Sequence, residues 1–154
     1  SAEIYLYGVS MGAATALYTL GEELPDNVKG CISDCAFASI YDECVKQFKK
    51  RRKIPTFPVM NIAVMYGKML LGYNIKKVSV KAAAERNEKV PVLFFHGNDD
   101  KFVTPDRAQI LYDCARSEKE IVLYDKTRHA ESMVLNFEDY WSKIEKIIYG
   151  GEKR

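Results

Sequence analysis

Ser10 sits in the run Tyr5-Leu6-Tyr7-Gly8-Val9-Ser10-Met11-Gly12-Ala13-Ala14, where apolar residues meet Gly-x-Ser-x-Gly and then a string of small residues. A strand, a sharp turn carrying a serine and a helix leaving at once would present the hydroxyl as a nucleophile. Such a turn strains the serine backbone. Gly8 and Gly12 are therefore expected to leave room two residues to either side, and Ala13 and Ala14 to let the helix pack close. The Met11 N–H, at the helix start, would face the oxygen of a carbonyl under attack. A serine hydroxyl needs a base to take its proton, and the base needs a carboxylate to orient it. The chain has two histidines. His129 lies in a polar loop, Arg128-His129-Ala130-Glu131-Ser132, and is the candidate base. His96 abuts an apolar run and reads as a structural histidine hydrogen-bonded locally beneath the site. Three aspartates compete for the carboxylate: Asp100 ranks ahead of Asp34 and Asp99, with turn capping left to the other two. This chemistry calls for no metal and no organic cofactor.

The elements that must position these groups follow from the apolar periodicity. Residues 4–7 read as a buried strand, 11–20 as a helix closed by Gly21, and 28–34 as a second strand ending at Asp34. From Ser39, the residues Ile40, Cys44, Val45 and Phe48 fall at helical spacing on a polar segment that runs into Lys49-Lys50-Arg51-Arg52-Lys53. Pro55 and Pro58 break the chain before a helix over 59–71, apolar nearly all round but too short and too interrupted by Lys68 to span a membrane. Gly72-Tyr73-Asn74 stops it. A short helix over 81–87 precedes the strand 91–95, which ends in His96-Gly97-Asn98-Asp99-Asp100. Thr104 as N-cap and Pro105 at the first helical position start a helix through Cys114. A strand over 120–124, the loop 125–132 with His129, and a helix over 137–148 close the chain. That last helix is expected to place Tyr140, Trp141, Ile144, Ile147 and Ile148 on one face. The alternation predicts an α/β fold, a mostly parallel sheet with helices on both faces. Its core is 1–37 with 80–154, and 38–79 is a helical insertion. Ser10, Asp34, Asp100 and His129 all lie just past strand ends, on the rim where such sheets place their ligands. The order serine, acid, histidine is met by His129, whereas His96 would precede its acid.

Composition narrows the field. At 154 residues the chain is one domain's worth, with 29% charged residues and a net charge of +2, a balance that argues neither for nor against nucleic acid. The basic run 49–53 suits the end of a helix electrostatically and has no interleaved aromatics, so no nucleic acid is indicated. The four cysteines, Cys31, Cys35, Cys44 and Cys114, show no CxxC spacing and no histidines placed for a zinc site. They read as reduced, mostly buried thiols of a cytoplasmic type of protein. Neither a secretory leader nor an 18-residue apolar run is expected among these residues.

Three motifs in this order, Gly8-Val9-Ser10-Met11-Gly12, His96-Gly97-Asn98-Asp99-Asp100-Lys101-Phe102-Val103-Thr104-Pro105 and Arg128-His129-Ala130-Glu131-Ser132, resemble those of the α/β-hydrolases. The likeness is to bacterial serine hydrolases with an HGxxDxxVP turn, related to prolyl-oligopeptidase-like and acyl-esterase-like members; Thr104 here separates Val103 from Pro105. The resemblance covers nearly the whole chain. It implies Asp100 as the triad acid, Ser10 as nucleophile, His129 as base, Met11 as an oxyanion donor, and the insertion as a cap. It also implies a serine hydrolase acting on a small acyl substrate with an apolar group, through an ester, amide or thioester, with an acyltransferase or a non-catalytic, self-associating module as alternatives. The family sheet has eight strands, and this chain begins at the fifth. A missing N-terminal half or a second copy is therefore expected to pair at the edge formed by residues 4–7. The absent half would supply the second oxyanion donor, and in some members a membrane anchor.

Overall fold

The computed structural model describes residues 2–52, 56–72 and 74–150. Lys53 of the basic run, Pro55 of the expected break and Tyr73 of the expected stop lie outside the described residues. Two compact units separate, 1–38 with 80–154 and 39–79.

The first unit is a four-stranded sheet in the order β1 (Ile4–Val9), β2 (Val28–Asp34), β3 (Val92–Gly97) and β4 (Lys119–Tyr124), every pair parallel. Parallel neighbours need crossovers, which α1 (Met11–Thr19), the stretch ending in α4 (Val80–Arg86) and α5 (Asp106–Cys114) provide. Strands β1 and β3 outrun their apolar cores. Val9 pairs with Asp34, and His96 and Gly97 pair with Leu123 and Tyr124. Backbone pairing is indifferent to side-chain hydropathy, so the ladder continues to the rim where Ser10 and Asp100 begin.

Alternation along the strands divides the packing. Ile32, Leu93, Phe95 and Tyr124 pack with Tyr140 and Ile144 of α7 (Phe137–Tyr149), and the Phe95 and Tyr140 rings stack with centroids 4.1 Å apart. On the other face lie Cys31, Val92 and Phe94, with the small residues of α1 and α4 (Ala13, Ala14, Ala83, Ala84) buried. Trp141 departs from its expected face and is 37% exposed. One residue beyond Tyr140 is 100° around the helix, off the stripe made by i, i+4, i+7 and i+8.

Two smaller differences concern helix starts. Pro105 has helical angles but stands just outside α5. Its first turn closes through Arg107 N–H donating to the Thr104 carbonyl at 2.9 Å, tighter than an α-helical bond. A four-residue helix, α6 (Ser132–Leu135), also follows the histidine loop, too short for periodicity to reveal.

The second unit holds α2 (Ile40–Arg52), α3 (Thr56–Leu71) and a 3-10 turn at Ile75–Lys77, closed by an antiparallel bridge between Ser39 and Ser79. Asp42 and Glu43 occupy the first turn of α2, where carboxylates favour the helix dipole. Phe57 is extended (φ −96°, ψ 133°), so regular helix starts beyond it, near the expected residue 59. Among the described residues no helix is long and apolar enough to cross a membrane. All four cysteines are free. Of the thiols expected to be mostly buried, Cys31 and Cys35 are buried, Cys114 is partly so and Cys44 is exposed on α2.

Candidate active site

Ser10 ends β1 and precedes α1 with φ 54° and ψ −114°, a left-handed backbone that side chains disfavour. Its N–H donates to the Asp34 carbonyl at 2.8 Å, and its own carbonyl accepts from Ala14 N–H at 3.0 Å. The turn is thus held from both sides. Ser10 occupies the N-cap position of α1 but makes no capping hydrogen bond, which leaves its hydroxyl for other work. Met11, the first residue of α1, carries one of the N–H groups that a helix start leaves without an intrahelical partner.

Of the two flanking glycines, Gly8 meets the expectation and Gly12 departs from it. A Cβ on Gly8 would lie 2.3 Å from the Gly12 carbonyl carbon and oxygen, so the turn requires Gly8. A Cβ on Gly12 would meet nothing within 4 Å. The tight approach is made by the backbone of Gly12 to Gly8, and it leaves the Gly12 side-chain direction open.

Ser10 Oγ lies 2.9 Å from His129 Nε2, and His129 Nδ1 lies 2.6 Å from Asp100 Oδ2. These contacts fix a tautomer: Nδ1 carries the proton donated to Asp100, and Nε2 accepts from the serine. Asp100 is buried. Its second oxygen, Oδ1, accepts from Phe102 N–H at 2.8 Å and Val103 N–H at 3.0 Å. His96 is fully buried, and its Nε2 donates to the Val103 carbonyl at 2.8 Å while lying 3.3 Å from Asp100 Oδ2. Burial alone would raise the Asp100 carboxyl. Hydrogen bonds from His129, His96 and Phe102 more than offset that and hold it well below the usual carboxylate range. His96 therefore braces the acid turn from beneath.

The remaining candidates fall elsewhere. Asp34 is 1% exposed. It accepts from Ser132 Oγ at 2.8 Å and from the Tyr140 hydroxyl at 3.2 Å. Burial raises its carboxyl against these two donors. Asp34 thus ties the start of α6, three residues past His129, to strand β2, while its carbonyl holds Ser10. Asp99 makes a backbone bond, its N–H donating to the Thr127 carbonyl at 3.0 Å.

Gly97 belongs to the His-Gly motif of the sequence, and the fold supplies its reason. A Cβ there would lie 2.2 Å from the Thr127 carbonyl oxygen, so only glycine lets the histidine loop close onto β3. Glu131 braces the same loop: its Oε2 accepts from Arg128 N–H at 3.1 Å, and its Oε1 pairs with the guanidinium at 3.0 Å. The ring of Phe102 lies against that of His129, centroids 4.9 Å apart. Beside them opens a cleft of about 460 Å³ lined by Asp99, Lys101, Phe102, Arg128 and His129. Such an arrangement can deprotonate a serine as it attacks, with a buried carboxylate stabilising the imidazolium that forms.

Comparison with known proteins places this geometry in context. The family model described as serine aminopeptidase, S33, matches residues 69–133, the stretch that holds Asp100 and His129. A Bacillus subtilis (strain 168) relative, the uncharacterized protein YqkD, is 30% identical over 145 residues, covering 94% of this chain and 47% of the relative. The chain thus spans about half the length of the curated relative it matches. Among solved structures, the Pyrococcus furiosus esterase PF2001 superposes with a TM-score of 0.69 at 19% identity, over 96% of this chain and 53% of that one. Acetyl xylan esterase 1 from Thermoanaerobacterium sp. JW/SL YS485 gives a TM-score of 0.65 at 19% identity, over 96% and 46%.

Proposed function

This chain has the α/β-hydrolase fold, and on that premise we propose that it is a serine hydrolase cleaving a carboxylic ester through an acyl-enzyme. The observation that carries the reading is the continuous relay Ser10 Oγ–His129 Nε2 (2.9 Å) and His129 Nδ1–Asp100 Oδ2 (2.6 Å). Ser10 Oγ attacks the carbonyl carbon as His129 Nε2 takes its proton, and the Met11 N–H faces the oxyanion. Collapse breaks the ester C–O bond, and His129 returns the proton to the leaving alkoxide. Water then repeats the sequence on the acyl-enzyme, releasing the acid and restoring Ser10. Each oxyanion donor in such sites contributes about 2.7–4 kcal/mol to the transition state.

The serine aminopeptidase family match favours a second reading, in which the scissile bond is an amide. Parallel turnover of acyl esters and aminoacyl amides separates the two, and added alcohols or thiols reveal any acyl transfer in place of hydrolysis. An acyl substrate with an apolar group belongs to the same proposal. The primary test is intact-mass labelling with a fluorophosphonate. One adduct on Ser10, lost in His129→Ala, is expected; folded protein that takes no label overturns the reading.

A further inference from the structure

One thiol beside the relay has no part in the mechanism above. Cys35 follows β2, is 1% exposed and has a left-handed φ of 48°. Its Sγ, a carboxylate oxygen of Asp100 and a ring nitrogen of His129 all lie within 4.8 Å of one another. In the linear sequence no histidine stands near any cysteine; the fold makes this cluster. Burial pushes the Cys35 thiol up to about 12, and the charge of Asp34 adds to that. The sulfur thus sits beside the acid and the base of the relay.

A thiolate, an imidazole and a carboxylate are the donors that Zn²⁺ takes in tetrahedral sites, at about 2.3, 2.0 and 2.0 Å. Bonds of those lengths place the donor atoms roughly 3.3–3.8 Å apart. In tetrahedral coordination the Asp100 Oδ2–His129 Nδ1 pair, 2.6 Å apart, would open slightly, and the sulfur, no more than 4.8 Å from either donor, would close by up to about 1 Å. The sulfur also sets the preference. An Asp–His pair alone binds cations weakly, whereas a third, soft ligand selects Zn²⁺ or Co²⁺ over Mg²⁺ and Ca²⁺.

We propose that Cys35, Asp100 and His129 form an inhibitory site for a thiophilic divalent cation, with Zn²⁺ the natural occupant, whose capture disables the Ser10 relay. As the metal–sulfur bond forms, the thiol proton passes to solvent. The imidazole coordinates through Nδ1, whose proton moves to Nε2, and no electron is transferred. A coordinated His129 no longer bridges Asp100 and Ser10, so proton transfer from the serine stops. The inhibitory consequence rests on the hydrolase reading, but metal binding does not.

The test reads binding directly, by titrating the purified protein with Co²⁺ and recording the near-ultraviolet thiolate-to-cobalt absorption. The band is expected in the wild type and in Ser10→Ala, and is expected to vanish in Cys35→Ser. Zn²⁺ affinity, measured by competition with a chromophoric chelator, should fall at least about tenfold in Cys35→Ser and in His129→Ala. His129→Ala alters a partly exposed loop residue, so it decides the matter should the buried Cys35 variant fail to fold. In an active preparation, Zn²⁺ should stop turnover and a chelator restore it. A band that survives Cys35→Ser, its absence from folded wild type at millimolar Co²⁺, or unchanged affinity in His129→Ala each overturns the site. An inactive protein that still binds Co²⁺ through Cys35 overturns the hydrolase reading and leaves the metal site standing.

Discussion

Asp100 and Asp34 are both buried carboxylates within reach of the histidine loop, and their hydrogen bonds separate their duties. Asp100 meets the His129 ring directly, whereas Asp34 reaches the loop only through Ser132. Asp100→Asn preserves the acceptor for Phe102 and Val103 but leaves His129 Nδ1–H without an anion. Steady-state ester kinetics should show kcat falling about 10⁴-fold. Asp34→Asn disturbs the position of the loop without touching the relay, and a loss of about 10–100-fold is expected; equal losses would remove the assignment of Asp100 as acid. The Asp100 charge also links stability to pH. Its carboxyl titrates below the usual range in the folded protein and near the ordinary value of about 3.9 when unfolded. The stabilisation it contributes is therefore complete above about pH 4 and is lost as the pH falls below that. Urea midpoints between about pH 2 and pH 6 should fall more steeply with acidification in the wild type than in Asp100→Asn.

At the scale of elements, the turn between β1 and α1 makes opposite demands on its two glycines. Gly8→Ala would drive a methyl group into the backbone of Gly12, and a marked loss of stability with loss of labelling at Ser10 is expected. Gly12 stands near the start of α1 with open space at its Cβ. Alanine is favoured over glycine within helices by about 1 kcal/mol, so Gly12→Ala should hold or raise the urea midpoint and keep Ser10 reactive. A collapse in Gly12→Ala would show that the turn needs a bare second glycine after all. Gly97 belongs with Gly8: both permit one backbone to touch another, and both contacts fix a residue of the relay.

For the molecule as a whole, the sheet order leaves β1 at an edge among the described residues. On that edge Ile4 and Tyr7 are 41% and 46% exposed. An apolar edge strand is a template for further pairing, and we expect it to be covered by further strands or by a second copy of the chain. Light scattering coupled to size exclusion should show the 17.6 kDa chain as a dimer or larger species when no other strand is supplied. A stable monomer across the micromolar range would argue against an open edge.

Much of this was legible without a structure. Gly-x-Ser-x-Gly between an apolar run and small residues, Asp100 after a strand, and His129 late in the chain each depend on neighbours a few residues away, and local sequence carries such information. The parallel sheet was equally readable, since strand and helix periods alternate along the chain. What sequence could not decide was proximity between distant segments. The role of Gly97 depends on Thr127, and that of Asp34 on Ser132 and Tyr140. The freedom at Gly12 depends on the direction of a bond that no side chain reports. Cys35 read as one more thiol without a histidine until β2 and the histidine loop were set side by side. Those contacts are made by the sheet register and loop closure, where residues far apart in the chain meet because their backbones, not their spacing, bring them together.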